Sequence, residues 1–479
     1  MQPELTSKET RQEKRREAIL NGNLWKTIGV LTIPLAIFSL FNYLYGFIDI
    51  ILVAHIDTSY VSSVIFIDEI RNAINAFGTA LAAAGCVVVA RHYGAGRTEE
   101  ARKNAGTTFI MTIVISVIVV AFMLVLAIPI LTLAGATDEI IYAGLGYYNV
   151  QMITTALVAI NAVFIGLEKA KGNTSIVLWL NIIAMAIKLI LSLIFVFAMD
   201  GDIMLLAIST LISQGVLTII AIAIMFSKKN ILKIGLADFK LSWSYIKPIL
   251  ILAIPIFIGR FMFNIGKVSI NGFVLQYSQF AVGALGIAFR LHGVFSSTAR
   301  VFEESGMLVV SQNLGNRRLD RALKTFFVCI AYCLIIAGLG FAINPFLRHV
   351  FMPLLTDDPD EISMIITIFR WEHFSMLTSS VVAIISGFFI AFKKTRITMV
   401  FNLFRIFVFR VPVLWIFTLI FPVGPENVRM IGITMFISNT ATFVIAVGCV
   451  WYFINKLRNY GYEGMLLDDC QKKVTETIQ

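Results

Sequence analysis

The stretch Leu31-Thr-Ile-Pro34 recurs 221 residues later as Leu252-Ala-Ile-Pro255, and this repetition decides how the whole chain is organised. The same offset places many residues of the first half on identical residues of the second half: Val88, Val89, Gly94, Arg97, Ala101, Lys103, Gly166, Thr174 and Asn181 on Val309, Val310, Gly315, Arg318, Ala322, Lys324, Gly387, Thr395 and Asn402. An offset that holds without insertion over about 150 residues indicates an internal duplication. In an apolar chain, such a duplication is typical of two helical bundles that face each other across a central pathway.

The composition indicates an integral membrane protein. Apolar residues make up 58% of the chain, charged residues make up 14%, and the mean hydropathy is +0.85, which lies far outside the range of soluble domains. We predict an all-α membrane protein with twelve transmembrane helices, six in each half, and an even number per half makes the two repeats parallel. Each predicted helix is an apolar run long enough to cross a hydrocarbon core of about 30 Å, and the runs are 27–54, 61–90, 107–134, 140–167, 175–199, 203–226, 246–277, 280–311, 325–349, 361–392, 397–421 and 430–454.

The apolar runs divide the chain into five parts. These are a cytoplasmic N-terminal segment at 1–26, an N-lobe at 27–227, a linker at 228–245, a C-lobe at 246–455 and a cytoplasmic tail at 456–479. The first 26 residues lack the apolar core of a cleaved signal peptide, so we expect a solvated segment there.

The distribution of lysine and arginine predicts the orientation in the membrane. The two terminal segments and the even-numbered loops hold 28 of these residues, whereas the odd-numbered loops hold only Arg348 and Arg429. Because cytoplasmic loops carry the excess of basic residues, we expect both termini in the cytoplasm and the protein in the plasma membrane. The net charge of +10 follows mostly from this topology, so it does not predict a nucleic-acid partner.

Several short motifs occur in a fixed order along the two halves. They are Leu31-Thr-Ile-Pro34 followed by Tyr45-Gly-Phe-Ile-Asp49, the loop 90–103, Gly166-Leu-Glu-Lys-Ala-Lys-Gly172-Asn-Thr174, and Gln312-Asn-Leu-Gly315 with Asp320-Arg-Ala322. In their order, spacing and duplication they resemble the multidrug and toxic compound extrusion (MATE) family over residues 27–455. The resemblance implies two six-helix lobes arranged in a V that opens alternately to either side of the membrane. It also implies antiport, in which drugs or metabolites are expelled against an inward flow of sodium ions or protons.

The first predicted helix carries a candidate ion-coupling acid. Asn42, Tyr45 and Asp49 are spaced i, i+3 and i+7, so they share one face of the helix. A buried carboxylate there can exchange a proton or a sodium ion for a change in helix packing. The family uses an acid at this position for ion coupling, and Asp49 matches it. A structural hydrogen-bond anchor is the alternative interpretation.

The fifth predicted helix departs from the family pattern. Where the family often has an asparagine and then an aspartate four residues later, this chain reads Asn181-Ile-Ile-Ala184-Met-Ala-Ile-Lys188, so alanine and lysine hold those places. Thr210 in the sixth helix still matches. An ammonium group would repel sodium and offers no oxygen ligand. We hypothesise that Lys188 pairs with Asp49 and that protons, rather than sodium ions, are the coupling ion. Two alternatives stay open, namely a fixed salt bridge between the helices and a direct contact of Lys188 with the substrate.

The second predicted helix adds a polar track at spacing i, i+4, i+7 and i+11, formed by Asp68, Asn72, Asn75 and Thr79. Arg71 lies one turn from Asp68 and is near enough to pair with it. Because Asp68 and Glu69 are neighbours, both are not readily ionised in a low dielectric unless a cation is near. One of them is therefore a second candidate proton carrier. The alternative places both at the outer mouth of the pathway, where water screens them.

The predicted helices of the second half are more basic than those of the first. They carry seven bases against three acids, Arg260, Lys267, Arg290, Arg300, Arg370, Arg405 and Arg410 against Glu303, Glu304 and Glu372, whereas the first half carries two against three. On the seventh helix a polar stripe is formed by Arg260, Asn264, Lys267 and Asn271. On the eighth, Arg300 is spaced to pair with Glu303 and Glu304.

This charge balance predicts the class of substrate. A cavity for lipophilic cations needs an excess of carboxylates and aromatic faces, whereas nine bases face six acids within the predicted helices. We therefore favour a small organic substrate of anionic or zwitterionic character. The candidate substrate-binding residues are Asn42, Tyr45, Asn72, Asn75, Asn181, Arg260, Asn264, Lys267, Arg300, Glu303 and Glu304.

Two other classes of function stay open at this point. Related superfamily members move lipid-linked precursors, so a flippase is one alternative, although the chain has no helix predicted after residue 455. A membrane-embedded enzyme or a channel is the other, but the sequence has neither metal-ligand spacing, nor a nucleophile near a base, nor a filter-like repeat. We expect no enzyme activity, no cofactor, no resident metal and no nucleotide, and a monomer whose partners are the lipid bilayer and the substrate.

Overall fold

The computed structural model describes residues 7–57, 59–136, 138–227, 230–278, 280–351 and 358–478. The helices of the first half are α1 (Ser7–Asn21), α2 (Leu24–Ile56), α3 (Ser59–Gly94), α4 (Thr98–Val125), α5 (Ala127–Leu133), α6 (Asp138–Ala170), α7 (Thr174–Leu193) and α8 (Ile203–Phe226). Those of the second half are α9 (Trp243–Val274), α10 (Ala281–Gly315), α11 (Leu319–Phe351), α12 (Pro359–Ala391), α13 (Thr395–Leu403), α14 (Val411–Ile420) and α15 (Arg429–Ile478).

All twelve predicted apolar runs lie on helices. Within the described ranges, eleven segments are long and apolar enough to cross a membrane. The remaining run lies on α10, a helix of 35 residues whose sequence includes four charged residues: Arg290, Arg300, Glu303 and Glu304. The third run is divided at Leu126 between α4 and α5. The fifth and eleventh runs each contain a π-helical segment, at Ile194–Ala198 and Phe404–Val408.

The turns between helices show the duplication in the backbone itself. Gly96 (φ 78°) and Gly172 (φ 76°) adopt the left-handed conformation in the first half, and their equivalents Arg317 (φ 57°) and Lys393 (φ 62°) adopt it in the second. Glycine reaches this conformation without the steric cost that a Cβ imposes. The backbone geometry of these turns is therefore common to both halves, although the glycine is not.

The N-terminal segment is not solvated throughout, contrary to the expectation from its charges. Residues 7–21 form α1, and the side chains of Ile19 and Leu20 at its end are 1% and 5% exposed. The turn at Gly172 lies directly beside the Ile19 side chain. The burial of these two apolar residues removes apolar surface from water and helps to dock the helix.

The linker between the halves lies against α4. Asp238 accepts a hydrogen bond from Arg102 Nε at 2.9 Å, and Phe239 packs with Phe109 and Phe226 at ring-centre distances of 6.3 and 6.1 Å. The linker is therefore held by one ion pair and by one aromatic cluster.

The largest contacts between the two halves involve four helices. α3 packs against both α9 and α10, and α2 packs against α10. A large buried core runs across this contact and includes Phe77 and Tyr93 of the first half with Phe302 and Phe388 of the second. The predicted site residues lie on these four helices and on the helices that pack beside them.

Candidate functional site

The predicted contact between Asp49 and Lys188 is present. Lys188 Nζ on α7 donates a short hydrogen bond to Asp49 Oδ2 on α2, with side-chain exposures of 19% and 35%. The same ammonium lies 4.9 Å from the centre of the Tyr45 ring, and the aromatic face adds to its stabilisation. The ammonium therefore contacts both the Asp49 carboxylate and the Tyr45 ring.

Two other predicted site residues, the substrate-binding candidate Asn181 and the ion-coupling candidate Thr210, donate within their own helices. Asn181 Nδ2 donates to the Val177 carbonyl at 2.7 Å, and Thr210 Oγ1 donates to the Leu206 carbonyl at 3.4 Å. In the described structure neither is hydrogen-bonded to Asp49. The geometry thus brings together Asp49, Tyr45 and Lys188, and leaves Asn181 and Thr210 out of that group.

A second polar group links α3 to α6. Asp68 Oδ1 lies 3.2 Å from Arg71 Nη2 and accepts a hydrogen bond from the Tyr147 hydroxyl at 3.2 Å. Arg71 Nη1 also donates to Gln151 Oε1 at 2.9 Å. The predicted pair of Asp68 and Arg71 is confirmed, whereas the sequence analysis did not name Tyr147 and Gln151. Their i, i+4 spacing on one helix was the signal that could have found them.

The other polar residues of α2 and α3 are distributed differently. Asn42 and Asn72 are exposed, and Asn75 and Glu69 are half-buried. Asn264 Nδ2 on α9 donates to the Asn72 carbonyl at 3.2 Å, a hydrogen bond between the two lobes. The polar stripe predicted on α9 therefore faces α3 at this point, as a stripe on the pathway side requires.

In the C-lobe, three basic side chains surround one aromatic ring. Lys267 Nζ, Arg405 Cζ and Arg410 Cζ lie 5.4, 5.2 and 6.0 Å from the centre of the Phe263 ring. We call these four residues the basic cluster. Lys267 was a predicted substrate-binding residue, whereas Phe263, Arg405 and Arg410 were not. Half-buried Arg260 lies about two turns from Lys267 along the same helix.

Arg410 is held in place by neutral partners. It is 2% exposed, its Nε donates to Ser438 Oγ at 3.0 Å, and its Nη2 donates to Asn439 Oδ1 at 3.1 Å. Asn439 in turn donates to Ser375 Oγ at 2.9 Å, and the Ser375 hydroxyl donates to Glu372 Oε2 at 3.0 Å. Arg410 thus reaches its nearest connected carboxylate only through two intervening side chains.

The predicted pairing of Arg300 with Glu303 and Glu304 is wrong. Among the described residues, Glu304 Oε2 is paired instead with Lys169 Nζ of α6, at 2.7 Å. Arg300 is exposed, and Glu303 lies against the backbone at Gly387 on α12. The helix spacing permitted a local pair, but the facing lobe supplies a closer cation.

The two lobes are joined at the end where α3 and α10 terminate, and the contact follows the internal repeat. Arg91 Nη2 donates to the Ala391 carbonyl at 2.7 Å, and Gln312 Nε2, at the equivalent position, donates to the equivalent Ala170 carbonyl. Gly94 and Gly315, also equivalent, lie against the backbone of the opposite helix, where any Cβ would clash with Gln312 or with Arg91. Glycine allows the helices to approach this closely.

Comparison with known proteins decides the family. The MatE family model matches two blocks of this chain, residues 34–194 and 255–416, whose first residues are one repeat length apart. The chain belongs to the MatE family of membrane transporters. Its two helical halves are the two lobes of the V-shaped MATE fold predicted from the sequence.

Curated relatives of this MATE chain include the multidrug export protein MepA of two Staphylococcus species. The protein of S. haemolyticus (strain JCSC1435) is 22% identical over 369 residues, which cover 76% of this chain and 81% of that protein. The protein of S. aureus (strain MSSA476) is 19% identical over 368 residues, with the same shares covered.

Solved MATE structures match the fold closely. One is described as an outward-facing conformation of a multidrug resistance MATE family transporter, with a TM-score of 0.85 and 20% identity over 92% of this chain and 98% of that one. Another, from Pyrococcus furiosus, has the same values and is described as having a binding pocket of reverse polarity that suggests a different function. At this level of identity the likeness establishes the fold.

Proposed function

We propose that this chain is a proton-coupled MATE antiporter that exports a small organic substrate of anionic or zwitterionic character, with both termini in the cytoplasm. The observation that carries the proposal is the pair of Lys188 with Asp49. The names of the MepA relatives, which are multidrug export proteins, support export as the direction.

The pair argues against sodium as the coupling ion. Sodium, like other hard cations, is bound by several oxygen atoms. Here the carboxylate oxygen of Asp49 is occupied by an ammonium group, and Thr210, the other candidate oxygen ligand, donates to its own helix. A sodium ion would have to displace Lys188 and leave that charge without a partner.

A proton can act on the same pair without a separate ligand set. Protonation of Asp49 removes the carboxylate charge and with it the attraction that joins α2 to α7. In our proposal, substrate release and proton entry on Asp49 alternate, so that the helices separate in one state and join in the other. A proton gradient supplies about 1.4 kcal/mol per pH unit and about 2.3 kcal/mol per 100 mV, which is sufficient for export without a nucleotide.

The charge of the C-lobe supports an anionic or zwitterionic substrate. The basic cluster places three cations around one ring, and these would repel a lipophilic cation. The P. furiosus transporter, whose pocket is described as reversed in polarity, indicates that such a change is compatible with the MATE fold.

The test is transport by the full-length chain in proteoliposomes, with the dianionic dye Lucifer yellow as the probe. An acidic lumen should drive dye uptake, whereas an equal sodium gradient should not. Asp49→Asn should abolish the pH-driven uptake, and Arg370→Gln, which removes an exposed charge on α12, should retain it. Sodium-driven uptake that disappears in Asp49→Asn, or flux at channel rates without any gradient, would overturn the proposal.

A further inference from the structure

We infer that the basic cluster is a binding site for the acidic group of an organic anion, with Lys267, Arg405 and Arg410 as its ligands. The inference deepens the proposed function, on which it rests for the direction of transport, because it names a site for the substrate. Its binding step is independent of the coupling ion and can be measured without any gradient.

The cluster lacks a carboxylate counter-ion. In the described part of the chain, none of the three bases forms an ion pair with an aspartate or glutamate. Glu372, the nearest connected acid, reaches Arg410 through Asn439 and Ser375 and also faces His292 Nδ1 at 3.6 Å. Glu69 and Glu303 also attract Lys267 and Arg405, respectively, but from beyond ion-pair distance. The cluster therefore holds three cations without a directly bound carboxylate among the described residues. Unpaired charges inside a membrane protein are costly and mark functional sites.

Among the described residues, one donor of the cluster is buried without a hydrogen-bond partner, beside the same ring. Arg405 Nε is buried and has no hydrogen-bond partner in the described ranges. Arg410 has two of its nitrogens bound to Ser438 and Asn439, which fixes the plane of its guanidinium. Planar guanidinium groups in fixed orientation suit two-point recognition of carboxylate, sulfonate or phosphate oxygens. Lys267 adds a mobile ammonium to this geometry.

The local backbone of α13 and α14 is also unusual at this place. Arg405 lies within the π-helical segment Phe404–Val408, and Arg410 lies two residues after its end, at the start of α14. Such π-helical segments occur frequently at functional sites, because they re-aim side chains that an α-helix would place differently. The segment brings both arginines onto Phe263 of α9.

The internal repeat provides an independent argument. Phe263, Lys267, Arg405 and Arg410 align with Asn42, Gly46, Ala184 and Leu189 of the first half. These four positions lie on α2 and α7, the helices that hold Asp49 and Lys188. The basic cluster is therefore the C-lobe counterpart of the N-lobe pair, with cations that only one copy carries.

Equilibrium binding of Lucifer yellow tests the inference. Fluorescence polarisation with the full-length chain in nanodiscs of neutral phosphatidylcholine should show saturable binding. Lys267→Gln and Arg405→Gln should each weaken it at least tenfold, whereas Arg370→Gln should leave it unchanged and Arg405→Lys should give an intermediate loss. Ethidium, a lipophilic cation, should not compete. Unchanged affinity relative to the parent in both glutamine variants, confirmed as folded by gel filtration, would overturn the inference.

Competitors identify the source of the anion. Displacement of the dye by benzoate but not by equal chloride or inorganic phosphate supports a site for soluble organic anions. Displacement by phosphatidylglycerol built into the nanodisc also supports an organic-anion site and assigns its ligand to a lipid headgroup. Equal displacement by chloride would overturn the organic-anion site. Binding that persists while pH-driven transport fails would refute proton coupling and leave this inference standing.

From a different set of contacts we also infer that α1 acts as a strap, which holds the two lobes together where α3 and α10 end. On the C-lobe side, Arg321 donates to the carbonyls of Ile19 and Gly22, at 3.0 and 2.5 Å, and Arg318 donates to the Leu20 carbonyl at 2.6 Å. These are the carbonyls that a helix leaves without internal partners at its C-terminus.

On the N-lobe side, α1 is fastened by its own side chains. Arg15 Nη1 donates to Asn173 Oδ1 at 2.5 Å, and Arg16 Nη2 donates to the Gly94 carbonyl at 3.0 Å. The Arg16 guanidinium also lies 5.9 Å from the centre of the Tyr93 ring. A helix bound to both lobes must release one of them before the lobes can separate at this end.

Cysteine labelling tests the strap. We expect Arg318→Gln with Arg321→Gln, or removal of residues 1–21, to raise the labelling rate of a cysteine placed at Ala391 by at least threefold, in a background lacking native cysteines. Lys324→Gln, an exposed control on the same helix, should leave the rate unchanged. Equal rates in the strap variants and the parent would overturn the inference.

Discussion

The N-lobe and the C-lobe carry opposite kinds of charge arrangement at the same place in the repeat. In the N-lobe, one acid and one base, Asp49 and Lys188, form a neutral pair. In the C-lobe, Lys267, Arg405 and Arg410 gather around one ring without an ion-paired acid in the described ranges. In our proposal this difference is a division of labour, in which the N-lobe responds to protons and the C-lobe holds the acidic group of the substrate.

The contacts between helices, by contrast, are alike in both lobes. Gly85 lies against Thr108 and its equivalent Gly306 lies against Cys329, at positions that also match. Such close contacts between helices require a residue without a side chain. A larger residue at either glycine would therefore disturb the helix packing of its lobe. Close backbone packing does not constrain the charged residues in the interior of each lobe. The two copies could therefore come to differ at those positions.

The largest effect that we expect comes from restoring an acid in the N-lobe. Lys188→Asp places two carboxylates together and supplies oxygen ligands for a cation. Sodium should then raise the melting temperature of the purified variant and stimulate its transport at least tenfold, a change of about 1.4 kcal/mol. Lys267→Asp, which places an acid in the C-lobe instead, should not confer this response. Equal sodium stimulation in both variants would contradict the division between the lobes.

The next effect concerns the close glycine contacts that both lobes share. Gly94→Leu and Gly315→Leu each drive a side chain into the backbone of the opposite helix, and we expect each to lower the stability of the joined state by about 3 kcal/mol or more. Labelling of a cysteine at Ala391 should increase in both to a similar extent. Gly448→Leu is the matched control, since no neighbouring atom lies within 4 Å of its Cβ position. A large effect in only one of the two glycines would show that the symmetry is not functional.

A smaller effect measures the N-lobe pair directly. Removing one partner of a buried ion pair costs about 3–5 kcal/mol, but Asp49 and Lys188 are 35% and 19% exposed, so we expect about 1–2 kcal/mol for Lys188→Ala. A double-mutant cycle with Asp49→Ala, read by thermal unfolding in detergent, isolates the interaction. A coupling energy near zero would contradict a pair that matters for packing.

The smallest effect that we expect concerns the two left-handed turn residues Arg317 and Lys393. Arg317→Gly and Lys393→Gly place the residue of the first half at left-handed positions of the second. The strain of a side chain there costs roughly 1 kcal/mol, and the greater freedom of glycine in the unfolded chain offsets part of it. We expect a gain of about 0.5 kcal/mol in each, seen as a slightly higher melting temperature. A loss of stability would show that these side chains make contacts that outweigh the strain.

The sequence predicted the fold well because the signals for it are repeated and cumulative. Twelve apolar runs, one offset and a handful of shared glycines each constrain the same architecture. It predicted the pair of Asp49 with Lys188 because few arrangements can satisfy two opposite charges within a membrane. The pairing of Arg300 with Glu303 and Glu304 failed for a related reason, since several cations were available and helix spacing cannot rank them.

By itself, the sequence determined that this is a two-lobed MATE membrane protein and which charges lie within its helices. The length of the apolar runs, the repeat spacing and the number of charges are properties of the linear chain. They do not depend on how the helices pack. Only the tertiary structure decided that Arg405 and Arg410 join Lys267 around Phe263, and that α1 is bound by arginines of the other lobe. These contacts join residues far apart in the chain, and their geometry depends on where each helix turns and ends, which no local pattern encodes.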